Sequence, residues 1–265
     1  MTETATPGPA PAGAPPKAPV VRAVAMADIL KVLAAGLRDF RAAPLYGLFI
    51  GGVYTLGGWL IVLLLIGFDL PYLVYPLAMG FALIAPFAAT ALYAVSRGLE
   101  RGEDLSWGVV LGSAWGGTRR DIGWMALVTG FTLFLWIDIA ALMFFGFFGT
   151  ASLDFQNLLR EVFTTPLGLV FLVVGNAVGA FIALAVFSYS VTSFPMLYDR
   201  DVDFVTAMVT SVKVVLASPR TMVLWCAIIA ALIGLSLLSG LVGLLVVLPV
   251  LGHASWHLYR RAIAA

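Results

Sequence analysis

An all-α, polytopic membrane bundle is the fold class this sequence predicts, and three observations predict it. Hydrophobic residues make up 62% of the chain and charged residues 11%, against about 25% charged in soluble proteins. Mean hydropathy is +1.03. The apolar residues gather into six stretches, roughly 45–67, 72–96, 121–148, 166–194, 220–239 and 241–259, each near the ~20 residues that cross a bilayer core about 30 Å thick. Finally, of the 15 Lys and Arg residues, all but Arg160 fall on one side of the membrane these stretches draw. Basic residues are retained on the cytoplasmic face, so both termini are expected there.

The first element is a tail. Residues 1–24 hold Pro7, Pro9, Pro11, Pro15, Pro16 and Pro19 and few bulky apolar side chains, so they cannot bury enough surface to offset their ordering entropy and are expected to be disordered. No basic stretch followed by an apolar one marks a signal peptide. Residues 25–265 form the six-span membrane domain.

That domain reads as three copies of one plan, an amphipathic helix followed by a transmembrane hairpin, over about 26–97, 104–200 and 203–261. In the first amphipathic helix Met26, Leu30, Leu33, Leu37 and Phe40 share a face, with Lys31, Arg38 and Asp39 elsewhere. Such a helix lies in the membrane interface. Stretches 104–118 and 203–218 hold the matching places. Aligning them brings Asp28, Asp104 and Asp203 into one column, each suited to cap a helix N-terminus by accepting from an orphan backbone N–H. Pro44, Arg120 and Pro219 then align where the chain turns into the bilayer, and Gly36, Gly112 and Ser211 form a small-residue column. The returning spans align Pro86, Tyr189 and Pro249, then Arg97, Arg200 and Arg260. Gly47 with Gly51, and Gly175 with Gly179, have the small-xxx-small spacing that admits close helix approach.

Few residues offer chemistry. Asp138 is the one carboxylate deep in a span, where an insertion scale assigns a cost of roughly 3 kcal/mol, so it is expected to face the bundle interior. Asn176 sits at the same depth on the next span and is its expected hydrogen-bond partner. Read functionally, this pair is a proton or cation site; read structurally, it locks two helices together. His253 and His257 are the only histidines, and their i, i+4 spacing puts both imidazoles on one face, as a metal or haem pair requires. Their place near the end of the last span equally suits a helix C-terminus in the headgroup zone. Cys226, the only cysteine, cannot form an internal disulfide. The segment 150–165 is expected to carry a short amphipathic helix on the outer face. No nucleophile–base pair, phosphate loop or zinc motif occurs.

Tyr75-Pro76-Leu77-Ala78-Met79-Gly80-Phe81, Ala85-Pro86-Phe87, Leu92-Tyr93, Arg97-Gly98-Leu99-Glu100 and the closing Gly252-His253-Ala254-Ser255-Trp256-His257-Leu258-Tyr259-Arg260-Arg261 together resemble the bacterial integral-membrane family known as domain of unknown function 2189. The resemblance extends over about residues 25–262. It implies a bacterial inner-membrane location and six spans, and it brings no activity or catalytic residue with it.

The expectation is therefore a non-enzymatic inner-membrane protein that organises or helps assemble membrane partners. Its surroundings are the lipid bilayer and a membrane-protein partner or further copies of itself. No cofactor is expected, and no nucleic acid, because the basic residues form separate juxtamembrane clusters. Two alternatives stand beside it: a small-solute or proton-coupled transporter with Asp138 and Asn176 in the path, and haem or metal binding by His253 and His257.

Overall fold

The computed structural model describes residues 19–67, 88–113, 119–149 and 155–264. Among them the chain is helical, with one isolated β-bridge, Val21 to Ile263. Helix α1 (Met26–Ala42) leads into α2 (Pro44–Ile66); the helical stretch 88–101 is α3; α4 (Trp107–Ser113) precedes α5 (Arg119–Phe148), α6 (Phe155–Thr164) and α7 (Pro166–Ser190). Then come α8 (Ser193–Asp199), α9 (Phe204–Ala217), α10 (Pro219–Leu238) and α11 (Leu244–Ala262).

Proline starts three of the long helices. Pro44, Pro166 and Pro219 stand in the first turns of α2, α7 and α10, where the missing N–H would be unpaired anyway. The residues before two of them are near copies: Ala43 has φ −137°, ψ 60° and Ser218 has φ −144°, ψ 57°. In both places a helix breaks for one residue and the chain continues as a long apolar helix.

Among the described residues four helices have the length and apolar character to cross a membrane: Pro44–Leu64, Arg120–Phe148, Pro166–Asp199 and Pro219–Leu238. Two of the six expected spans are not among these. Most of the second, with Pro76 and Pro86, lies outside the described residues, and α3 is its returning end. The sixth is the 19-residue α11, apolar in its first half only; His253, Ser255, His257, Arg260 and Arg261 occupy the second.

The packed core gathers at the end of the bundle where Val21 meets Ile263. Ile29 and Val32 of α1, Met196 and Leu197 of α8, Val214 of α9, Met222 and Trp225 of α10, and Trp256 and Leu258 of α11 are buried together there. In α1 the covered face is Ile29, Val32, Gly36 and Asp39. The apolar face read from the sequence is the neighbouring one, and Met26 and Leu30 on it are exposed. The reason is that α1 packs on α11 through its small-residue face, at a distance only Gly36 allows.

Residues just before Met26 are packed on the rest of the chain. Arg22 N donates to Ala262 O at 2.7 Å and Ala264 N to Val20 O at 2.9 Å, while Val24 N donates to Ser218 Oγ at 2.8 Å. Residues 20–24 therefore belong to the folded domain; residues 1–18 lie outside the described ones. At the opposite end the turn from α10 into α11 runs through Gly240 (φ 67°) and Leu241 (φ 71°). Trp59 Nε1 of α2 donates to Gly240 O at 2.7 Å, so the first span holds that turn.

Helix α6 docks on the start of α7 through Gly168. A Cβ there would stand 2.3 Å from Glu161 O and 2.4 Å from Val162 O, and backbone atoms cannot rotate aside. Gly168→Ala is expected to loosen α6, with amide exchange in 160–164 rising about tenfold or more, in line with the cost of overpacking. Unchanged exchange would show that α6 does not depend on this contact.

Candidate functional site

The most developed polar site joins residues far apart in sequence. Gly36 brings α1 against α11, and Asp39, one turn later on the same covered face, is 5% exposed. His253 and His257 stand one turn apart on α11. Asp39 Oδ2 lies 2.6 Å from His257 Nε2, and His253 Nδ1 lies 2.8 Å from Ser96 Oγ of α3. Ser96 and His253 are fully buried. The Ser96 side chain lies beside the Asp39 carboxyl and favours its ionised form.

Proton bookkeeping limits these bonds. An ionised carboxylate can only accept, so His257 Nε2–H donates to Asp39, while the direction of the Ser96–His253 bond follows the tautomer of His253. His253 Nε2 is buried without a hydrogen-bond partner. Burial, the strongest influence on Asp39, works to raise its carboxyl. The hydrogen bond and charge of His257, with Ser96 and the charge of His253, outweigh it and hold the carboxyl below its ordinary value. A recess of about 280 Å³ bounded by Arg38, Asp39, Ser96, Leu99, Glu100 and His257 adjoins the group.

This arrangement can hold a proton and tie three helices together. It is not an acyl-transfer triad, because Asp39 orients His257 while Ser96 touches His253, and Ser96 is sealed from solvent. Nor do the two imidazoles converge: each commits one nitrogen to a different partner. Among the described residues no three His, Cys, Asp or Glu side chains gather at metal-binding distance.

The structure does not bring Asp138 and Asn176 together. Asn176 Nδ2 donates to Leu172 O of its own helix at 2.7 Å. It borders a recess of about 240 Å³ with Trp136 and Met143, so α5 meets α7 through Trp136, Ala140 and Met143. Asp138 is two residues from Trp136, about 200° around the helix, and is exposed on the far side. Depth matched, but direction did not. A larger recess of about 510 Å³ between α5, α7 and α10 is lined by apolar residues with Thr129, Thr132, Ser190 and Cys226 and carries no charged group.

The expected helix caps separate. Asp203 is the N-cap of α9, accepting from Thr206 N at 2.9 Å. Asp28 lies inside α1 and reaches back to accept from Ala25 N at 3.2 Å, Ala25 being the N-cap; it also pairs with Lys31 and Arg261. Asp104 is exposed ahead of α4, and Ser106 accepts from Val109 N at 3.3 Å instead.

A second cluster lies beside the first. Tyr93, Tyr198 and Trp256, from α3, α8 and α11, meet with ring centroids 6.0–6.4 Å apart. Arg97 stacks over Tyr198 at 4.6 Å. Arg200 Nε donates to Tyr259 OH at 2.9 Å and its guanidinium also bonds Ala264 O. Arg260 pairs with Glu100 at 3.2 Å, and Tyr259 OH donates to Asp199 at 2.8 Å. Sequence reasoning singled out the two histidines but missed Asp39 and Ser96. The only available signal for Asp39 was a carboxylate on the buried side of an interfacial helix.

No curated protein and no solved structure matches the chain. A family model does, over residues 74–199, a narrower range than the motifs suggested: Pro86 and Arg97–Glu100 fall inside it and the histidine segment outside. Those residues fit the model described as "Predicted integral membrane protein (DUF2189)", so the chain is an integral membrane protein and the matched family is the one its motifs resemble.

Proposed function

We propose that this chain is a non-enzymatic protein of the bacterial inner membrane, with six spans and cytoplasmic termini, that organises or helps assemble membrane partners. The observation that carries the reading is the uncovered state of α5 and α7. Phe131, Leu142, Val173 and Phe181 are each 65–74% exposed, and almost none of either span is buried within the chain. A protein that transports through its own bundle needs its spans packed around a path. Here the packed part is a plug: Tyr93, Trp256 and Tyr259 fill the middle of the terminal end at 5% exposure or less.

The threefold repeat has support in the contacts of the aligned arginines. Arg97 of the first unit reaches Tyr198 of the second. Arg200 of the second reaches Tyr259 of the third, and Arg260 of the third reaches Glu100 of the first. The interfacial helices follow the same cycle: α1 packs on α11 and α9 on α7 and α8, while Val110 of α4 joins Leu92 and Val95 of α3. Three related units around an axis along the membrane normal give a rigid base and leave apolar spans free at the rim.

Native mass spectrometry of the protein released from the membrane in a mild detergent tests this. The expected species is the chain with a stoichiometric protein companion, either another protein or a further copy. A bare single chain that persists across several mild detergents would overturn the reading.

A further inference from the structure

Exposed side chains on α5 form a seam. Phe131, Leu135, Asp138, Leu142 and Phe145 are all exposed, and the steps between them are 4, 3, 4 and 3 residues. That alternation is the a/d spacing of a left-handed helix pair. The one polar member sits in the middle, at a depth where an unpaired acid costs roughly 3 kcal/mol.

Resting on the scaffold reading and naming its partner, we propose that the α5 seam binds a second copy of this chain, with the two Asp138 side chains hydrogen-bonded to each other at a twofold axis. The geometry selects a copy over another protein. Two copies inserted in the same sense are related by an axis along the membrane normal, so their α5 helices run parallel. A parallel a/d seam then sets each residue opposite its own equivalent at the same depth. Asp138 meets Asp138 with no further design, and one proton held between the carboxyls makes one a donor and the other an acceptor. Within lipid such a bond is the main specific attraction, since apolar side chains gain little over lipid tails. A single polar residue in an a/d seam also sets its register. The spans of this chain contain no basic residue that could serve Asp138 as an ion-pair partner.

Cysteine cross-linking in membranes tests the proposal, in a Cys226→Ser background. Leu135→Cys and Leu142→Cys are expected to give disulfide-linked dimers under mild oxidation, and Phe181→Cys on α7, equally exposed, is not. Adding Asp138→Leu is expected to lower association about tenfold, while Asp138→Asn, which keeps a donor and an acceptor, retains it. Cross-linking of Leu142→Cys solely to a different protein would sink the second copy and leave the scaffold reading standing. Absence of any adduct at Leu135 and Leu142 would sink the second copy on α5, and native mass spectrometry would then decide the scaffold reading. Equal dimer yield from Phe181→Cys, or an Asp138→Leu chain that dimerises as well as the parent, would overturn the assigned seam.

Discussion

Asp39→Ala is expected to destabilise the protein by about 1.5–3 kcal/mol, the worth of a buried hydrogen bond to a charged group. The substitution removes the acceptor of His257 and leaves that side chain without it at 18% exposure. Asp39→Asn keeps an acceptor and should cost about half as much, since a neutral hydrogen bond is the weaker kind. The pair is coupled, so Asp39→Leu with His257→Leu should cost less than the two single changes summed. Thermal unfolding in detergent reads all of this as Tm. Additive losses would show that Asp39 and His257 act separately.

The same group makes a pH prediction with a definite sign. The folded carboxyl lies below its ordinary value, so the unfolded chain takes up a proton first as pH falls. Its contribution is fully present above the ordinary carboxylate range, near pH 4, and is lost as pH drops through the lower folded value. The Tm gap between the parent and Asp39→Ala should therefore hold from pH 7 to about pH 5 and close below about pH 4. A gap that widens in acid would mean that Asp39 is already protonated when folded.

Alanine at both Gly36 and Gly51 is expected to cost about 2–6 kcal/mol in total. A Cβ at Gly36 would stand 2.6 Å from Val250 O and 2.7 Å from Ala254 N, and one at Gly51 would stand 2.8 Å from both Cα and O of Leu245. All are backbone atoms of α11, so neither clash can be relieved by a rotamer change. Helix α11 is gripped by α1 on one side and α2 on the other, and the two sites share no neighbour, so their costs should add. Gly36→Ala should also weaken the Asp39–His257 contact, because Asp39 rides on the displaced face one turn later. Gly234→Ala, on an open side of α10, is the control; it should be neutral or gain up to about 1 kcal/mol from helix propensity. Equal Tm values for all three glycine variants would show that α11 tolerates the shift.

Much of the one-dimensional order was legible. The spans read as 45–67, 121–148, 166–194 and 220–239 appear as Pro44–Ile66, Arg119–Phe148, Pro166–Ser190 and Pro219–Leu238, because bilayer thickness sets the length of an apolar run. Asp203 as a cap and Pro44 and Pro219 as entry points follow from backbone chemistry within a few residues. The column of Arg97, Arg200 and Arg260 was visible as an alignment, though nothing in it told which aromatic or acid each would meet. The candidate site was half legible: the histidines stood out by rarity, whereas Asp39 was one acid among many on a polar helix.

What the sequence determined by itself was membrane class, span length, the Asp203 cap and the spacing of small residues, each a property of a few neighbouring residues or of depth along the bilayer normal. Only the tertiary structure decided which way each helix face points. Asp138 and Asn176 share a depth yet face different surfaces, since depth constrains one coordinate and leaves rotation about the helix axis free. Asp39 and His257, 218 residues apart, meet because Gly36 lets two backbones approach. That is a property of the pair of helices, and neither helix carries it alone.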